Sequence, residues 1–311
     1  MMKKINNDTL NEKTQKLISE IEELTDKKIV IETDTEQTTS YIDLSHSEHV
    51  VEDDQIVITI TNSPNVEYMI IHELFHIKLD FSDFTKMSVN LYGNDANFNQ
   101  QSQITASSLK GIVDHRMIAY WEQEGGFRTE SIQKSLNAGT IEMLAAEGTE
   151  AEDSELVLYR TLVMLDNFNE ETIGGYEQPS TIAQKLNDVI QDVTNKNQHY
   201  SALVRLFFEF DNNIKILGYI DLLHTQLITL TPIFSERQLR LTVNQVIEIV
   251  HTDLITRDNI HPFVLEMKSS HQNSGFIEIS NKNQNPDFFK ELYQTNLADF
   301  LAEYNIDYLI R

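Results

Sequence analysis

The segment Tyr68-Met-Ile-Ile-His72-Glu73-Leu-Phe-His76-Ile-Lys-Leu79 carries two histidines four residues apart, with a glutamate directly after the first. On an α-helix this spacing puts His72 and His76 one turn apart on one face, where both imidazoles reach a single ion. Glu73 lies about 100° around the helix from His72, close enough to touch a water beside that ion without being a ligand. These residue types predict a metal site, most naturally zinc, with Glu73 as the general base of a hydrolase. The cation would acidify a water and polarise a carbonyl. The carboxylate would take the proton and later deliver it to the leaving amine. His72, Glu73 and His76 are the only polar residues in 69–77, a costly set to bury without a ligand.

A catalytic zinc takes three protein ligands plus a water, so a third must come from elsewhere. Asp114 and His115 interrupt a segment, 109–121, that reads as a buried helix. At about 100° per residue, Leu109, Val113, Met117, Tyr120 and Trp121 define its apolar face, with Asp114 on the edge and His115 almost opposite. Asp114 is the first choice and His115 the second, as ligand or as donor to a transition-state oxyanion. Glu122, Glu124, Glu142 and Glu147 are further carboxylates on helical stretches, read as solvated acids. Asp80, one turn beyond His76, could orient an imidazole. Tyr92 and Tyr120 read as packing residues. The pair His46 and His49 sits in a polar stretch read as a solvated loop, and His199, His224, His251, His261 and His271 are scattered singly with no role assigned.

The elements that must position these groups follow from periodicity. Apolar residues at helical spacing predict a helix over 9–26, then a short strand over 29–32. The segments 41–44 and 55–61 read as strands, the second strongly, since it alternates and is rich in Ile, Val and Thr. The strand over 55–61 is expected to align substrate by adding a peptide strand to a sheet edge. The turn at Asn62-Ser-Pro-Asn65 leads into a helix over 66–79, and a second helix over 104–124 ends at Gly125-Gly126. Residues 82–103 read as a loop or broken helix. Helices near 156–168, 180–195, 200–230 and 288–304, and a strand over 275–280, follow. An acidic, small-residue stretch over 145–155 marks the expected boundary between a domain over 1–150 and another over 151–311.

The chain has 311 residues, 40% of them hydrophobic, enough to bury a sizeable core. With 24 Lys and Arg against 49 Asp and Glu, its formal charge of −25 repels phosphate backbones and anionic lipid. No nucleic-acid or membrane partner is therefore expected. There is no cysteine, so any metal is held by histidine and carboxylate. The polar N-terminus lacks the apolar run of a signal peptide, and the richest apolar window, 214–233, is interrupted by charged and polar residues. A cytoplasmic protein is expected.

Taken together, Ile70-Ile-His-Glu-Leu-Phe-His-Ile-Lys-Leu79, Val113-Asp-His-Arg-Met-Ile118 and Glu124-Gly-Gly-Phe127 resemble the zincin metallopeptidases, specifically the gluzincin-like group of small cytoplasmic bacterial proteins. The resemblance covers roughly residues 50–130. It implies an α+β, zincin-like N-terminal domain with a small sheet and the His-Glu-x-x-His helix, followed by a mainly α-helical C-terminal region. It also implies zinc-dependent hydrolysis of a peptide or protein substrate, and an acidic third ligand at Asp114, shorter than the glutamate usual in that group. The alternative is a catalytically weak, metal-stabilised binding or regulatory module on the same core.

Overall fold

A computed structural model describes residues 2–34, 39–146, 154–167, 176–217, 222–280 and 285–311. The chain is α+β, mostly helical with small sheets, and divides into two compact units. The first comprises residues 1–83 and 114–187, the second residues 84–113 and 188–311. The boundary expected near 150 falls in 147–153, outside the described residues, whereas the compact units are each built from two stretches of chain.

The first unit begins with β1 (Lys3–Lys4), α1 (Glu12–Thr25), β2 (Lys28–Thr33), β3 (Ser47–Val51), β4 (Gln55–Ile60) and α2 (Val66–Phe81). The strands form one sheet in the order β1-β2-β4-β3. β4 runs parallel to β2 and antiparallel to β3, with Ile29 and Ile31 beside Ile56 and Ile58. These four isoleucines and Ile60 pack into one core with Met69, Ile70, Leu74 and Ile77 of α2. Alternation along β2 and β4 thus builds an apolar face, and α2 covers it. Because β4 is paired on both sides, the edge next to it is β3, not the strand expected to receive a substrate. The stretch 41–44 forms no strand.

Asn65 opens α2 by accepting the Tyr68 amide at 3.0 Å. Glu67, in the first turn, accepts from the Asn11 amide and the Thr14 hydroxyl, tying α2 to the start of α1. The long helix α3 (Ala96–Glu124) contributes its C-terminal part to this unit. It begins earlier than the expected 104 and ends where expected. There Phe127 N–H bonds the Glu122 carbonyl at 2.8 Å, with Gly126 at φ +70°. α4 (Glu130–Ala146), α5 (Ser154–Asp166) and α6 (Glu177–Val189) follow.

The second unit contains β5 (Met87–Val89), α7 (Lys196–Leu217), β6 (Ile228–Leu230), β7 (Ile233–Phe234), α8 (Glu236–Leu239), α9 (Val243–Val246), β8 (Ile247–His251), β9 (Phe263–Met267), β10 (Asn273–Ile277), α10 (Pro286–Gln294), α11 (Leu297–Glu303) and β11 (Leu309–Ile310). β8, β9 and β10 form an antiparallel sheet packed with α10 and α11 around Leu265, Leu297 and Phe300. The expected mainly helical region holds for α5 to α7, but from Ile228 onward strands and short helices mix. Their apolar runs are only about as long as a strand, too short for periodicity to separate from buried helix.

No helix among the described residues is long and apolar enough to cross a membrane.

Candidate metal centre

The first unit brings His72, His76 and His115 together as a possible metal-binding triad, with their ligating atoms all within 4.8 Å of one another. His76 Nε2 lies 3.2 Å from His72 Nε2 and 3.1 Å from His115 Nε2. Two nitrogens bound tetrahedrally at zinc distances stand about 3.3 Å apart, so these spacings fit a shared cation.

The far sides of the rings support the same reading. His72 Nδ1 faces Glu122 Oε1 at 3.0 Å, and His115 Nδ1 faces Asp166 Oδ1 at 2.6 Å. An imidazole that donates Nδ1–H to a carboxylate presents an Nε2 lone pair, the form a metal takes. Lone pairs converging at such distances repel one another unless a positive charge lies among them. Burial alone would lower the His115 pKa, but the charge and hydrogen bond of Asp166, with Asp114 and Glu122, raise it.

Each supporting carboxylate has its own anchor. Glu122 is fully buried; its Oε2 accepts from Tyr68 Oη at 2.9 Å and Arg128 at 3.4 Å. Burial would raise its pKa, but the bond to His72 and the charges of His72 and Arg128 hold it below the usual carboxylate range. Asp166 ends α5, where Arg116 donates to the neighbouring Leu165 carbonyl at 2.7 Å and to Asn187 at 3.0 Å. Burial raises the Asp166 pKa, and the nearby His115 charge more than offsets this.

Glu73 is also buried, and both of its oxygens are engaged. Oε1 accepts from Ser47 Oγ at 2.6 Å and Oε2 meets His49 Nδ1 at 2.8 Å. Burial pushes its pKa up, but the bonds from His49 and Ser47 and the charge of His72 leave it lowered. His49 Nε2 stands 3.6 Å from Asp80. A cleft of about 500 Å³ opens over the three histidines, Glu73 and the inner side of β3.

The sequence-derived residues divide clearly. His72, Glu73 and His76 stand where the helix pattern put them, and His115 joins them. Asp114 is buried beside them in sequence but lies outside the triad. The wheel misjudged this because the C-terminal part of α3 is buried on more than one side: Val113 and Ile118 are both fully buried, as is Glu122. Glu122, read as a solvated acid, is instead the partner of His72. Its position seven residues after His115, two turns along one face, was the available signal. Glu124 and Glu142 are exposed, as read. Glu147 lies outside the described residues.

His49 belongs to β3 rather than to a solvated loop, and Asp80 stands 3.6 Å from its Nε2. Asp166 carried no sequence signal beyond being a single acid after an apolar run. Tyr92 accepts from Arg257 in the second unit, and neither it nor Tyr120 lines the cleft. Comparison with family models, curated proteins and solved structures found no match to the chain.

Proposed function

We propose that the chain is a zinc-dependent peptidase of the zincin type, with His72, His76 and His115 as metal ligands and Glu73 as general base. The observation that carries this reading is the convergence of three imidazole nitrogens beside a buried carboxylate at the floor of an open cleft. The all-nitrogen donor set suits zinc, and the carboxylates behind two of the rings hold Nδ1–H and so turn Nε2 toward a shared ion. A glutamate that is not a ligand has no place in a purely structural site.

When bound, zinc would supply a Lewis acid that polarises the scissile carbonyl and makes a nearby water easier to deprotonate. Glu73 takes a proton from that water as its oxygen adds to the carbonyl carbon. It then delivers the proton to the amide nitrogen as the C–N bond breaks, leaving a carboxylic acid and an amine and regenerating the carboxylate. β3, the terminal strand of the sheet, borders the cleft and offers backbone groups to an extended peptide. The charge of −25 disfavours nucleic acid and anionic lipid as partners.

The test is zinc-loaded wild type and Glu73→Gln incubated with a mixed pool of internally quenched peptides. Wild type should cleave, and Glu73→Gln should lose about 10²–10⁴-fold in rate with its zinc content intact. Zinc bound to wild type with no peptide cleaved would contradict the peptidase reading and leave the metal-stabilised binding module.

A further inference from the structure

We infer that Ser47 and His49 are positioning residues for Glu73, fixing the carboxylate through which the hydrolysis proposed above would run. The inference rests on that reading and extends it from the metal helix to the edge strand.

The two donors sit at i and i+2 on β3, so strand alternation points both to one face. Their register partners, Ile60 and Ile58, belong to the row covered by α2, so the apolar row of the sheet continues into Ser47 and His49 where the strand meets the helix. One donor reaches each Glu73 oxygen, at 2.6 and 2.8 Å. A carboxylate oxygen has two acceptor directions, so one donor on each leaves the other direction open to water. The terminal torsion of a glutamate is otherwise broad, and two donors from a paired strand restrict it.

Asp80 lies seven residues after Glu73, two turns along the same face of α2, and its carboxylate stands 3.6 Å from the second nitrogen of His49. That contact favours the ring orientation in which Nδ1 meets Glu73. The strand that borders the cleft therefore also sets the base, so substrate alignment and proton transfer share one element. Misplacement of a reacting group by about 1 Å can cost on the order of 10²-fold in rate, which makes such a support consequential.

Full-length protein loaded with cobalt tests this without relying on turnover, because visible bands of the ion change as groups around it titrate. Glu73→Gln should alter the pH profile of those bands. His49→Ala should reproduce that alteration, whereas His49→Asn, whose amide can donate where Nδ1 did, should keep the wild-type profile. In the zinc form, His49→Ala should lower kcat on the peptide pool by about 10–100-fold with KM little changed, and His49→Asn should restore it. Ser47→Ala should move both readouts in the same direction, and it decides the matter if His49→Ala does not fold.

Wild-type profiles and kcat in both His49→Ala and Ser47→Ala would overturn the inference while the hydrolase reading stands. Absence of cobalt binding, or of turnover by metal-loaded wild type, would overturn the hydrolase reading and the inference with it.

Discussion

At the scale of single residues, the histidine triad is backed by carboxylates. Glu122 and Asp166 each back one histidine, and the facing histidine helps to hold each carboxyl below its usual pKa range. Replacing Glu122 by Gln removes the charge and weakens the acceptor behind His72, so zinc affinity should fall by about 10–100-fold in competition with a chromogenic chelator. Unchanged affinity would mean that the buried carboxylate serves only the fold.

His49 gives a pH prediction for the metal-free protein. Burial would lower its pKa, but Asp80 and Glu73 outweigh that and raise it from 6.5 to about 9. A group raised on folding contributes stability that is complete below its unfolded value and lost as pH climbs through its folded value. Urea unfolding should therefore show a loss from about pH 6.5 to about pH 9, and His49→Ala should flatten this part of the profile. An identical slope in the variant would contradict the assignment.

What the sequence revealed at this scale followed burial. His72, Glu73 and His76 were legible because three polar side chains in an apolar helix need a shared reason to be there. Asp114 and His115 were not separable, because a wheel assumes one buried face and this part of α3 has more than one.

Among the elements, α2 and β4 were readable from pattern alone, since one is a long apolar run at helical spacing and the other alternates under β-branched residues. β3 was hidden because its five residues, Ser-Glu-His-Val-Val, place polar groups on the inner face at the sheet edge. The segment before β3 is docked on α4, where the Ile42 amide donates to Ser135 Oγ at 2.9 Å and Gly139 lies against the Ile42 carbonyl. A methyl group on Gly139 would collide with that backbone oxygen, which cannot swing away as a side chain could. Gly139→Ala should therefore destabilise the protein by about 1–3 kcal/mol in thermal unfolding. Because this segment carries Asp43 and Leu44 of the cleft wall, the same variant should also disturb the cleft. A melting curve equal to wild type would mean that the segment moves aside freely.

For the molecule as a whole, the chain leaves the first compact unit after residue 83 and returns to it at 114, just before His115. A boundary sought as a single break in composition could not reveal that arrangement, because each unit is assembled from separated stretches. The long separation between α2 and His115 also means that the site forms only when the fold does. Metal should then stabilise the native state alone, by about 2.7 kcal/mol when free zinc is a hundred times its dissociation constant. Thermal unfolding should shift upward with zinc and return on chelation; a midpoint indifferent to both would argue that no metal binds.

The most direct test of the triad is the zinc content, by elemental analysis, of purified wild type, Glu73→Gln, Asp114→Ala and His115→Ala. The account predicts about one zinc per chain in the first three and its loss in His115→Ala. No zinc in wild type after reconstitution, or zinc lost from Asp114→Ala and kept by His115→Ala, would contradict it.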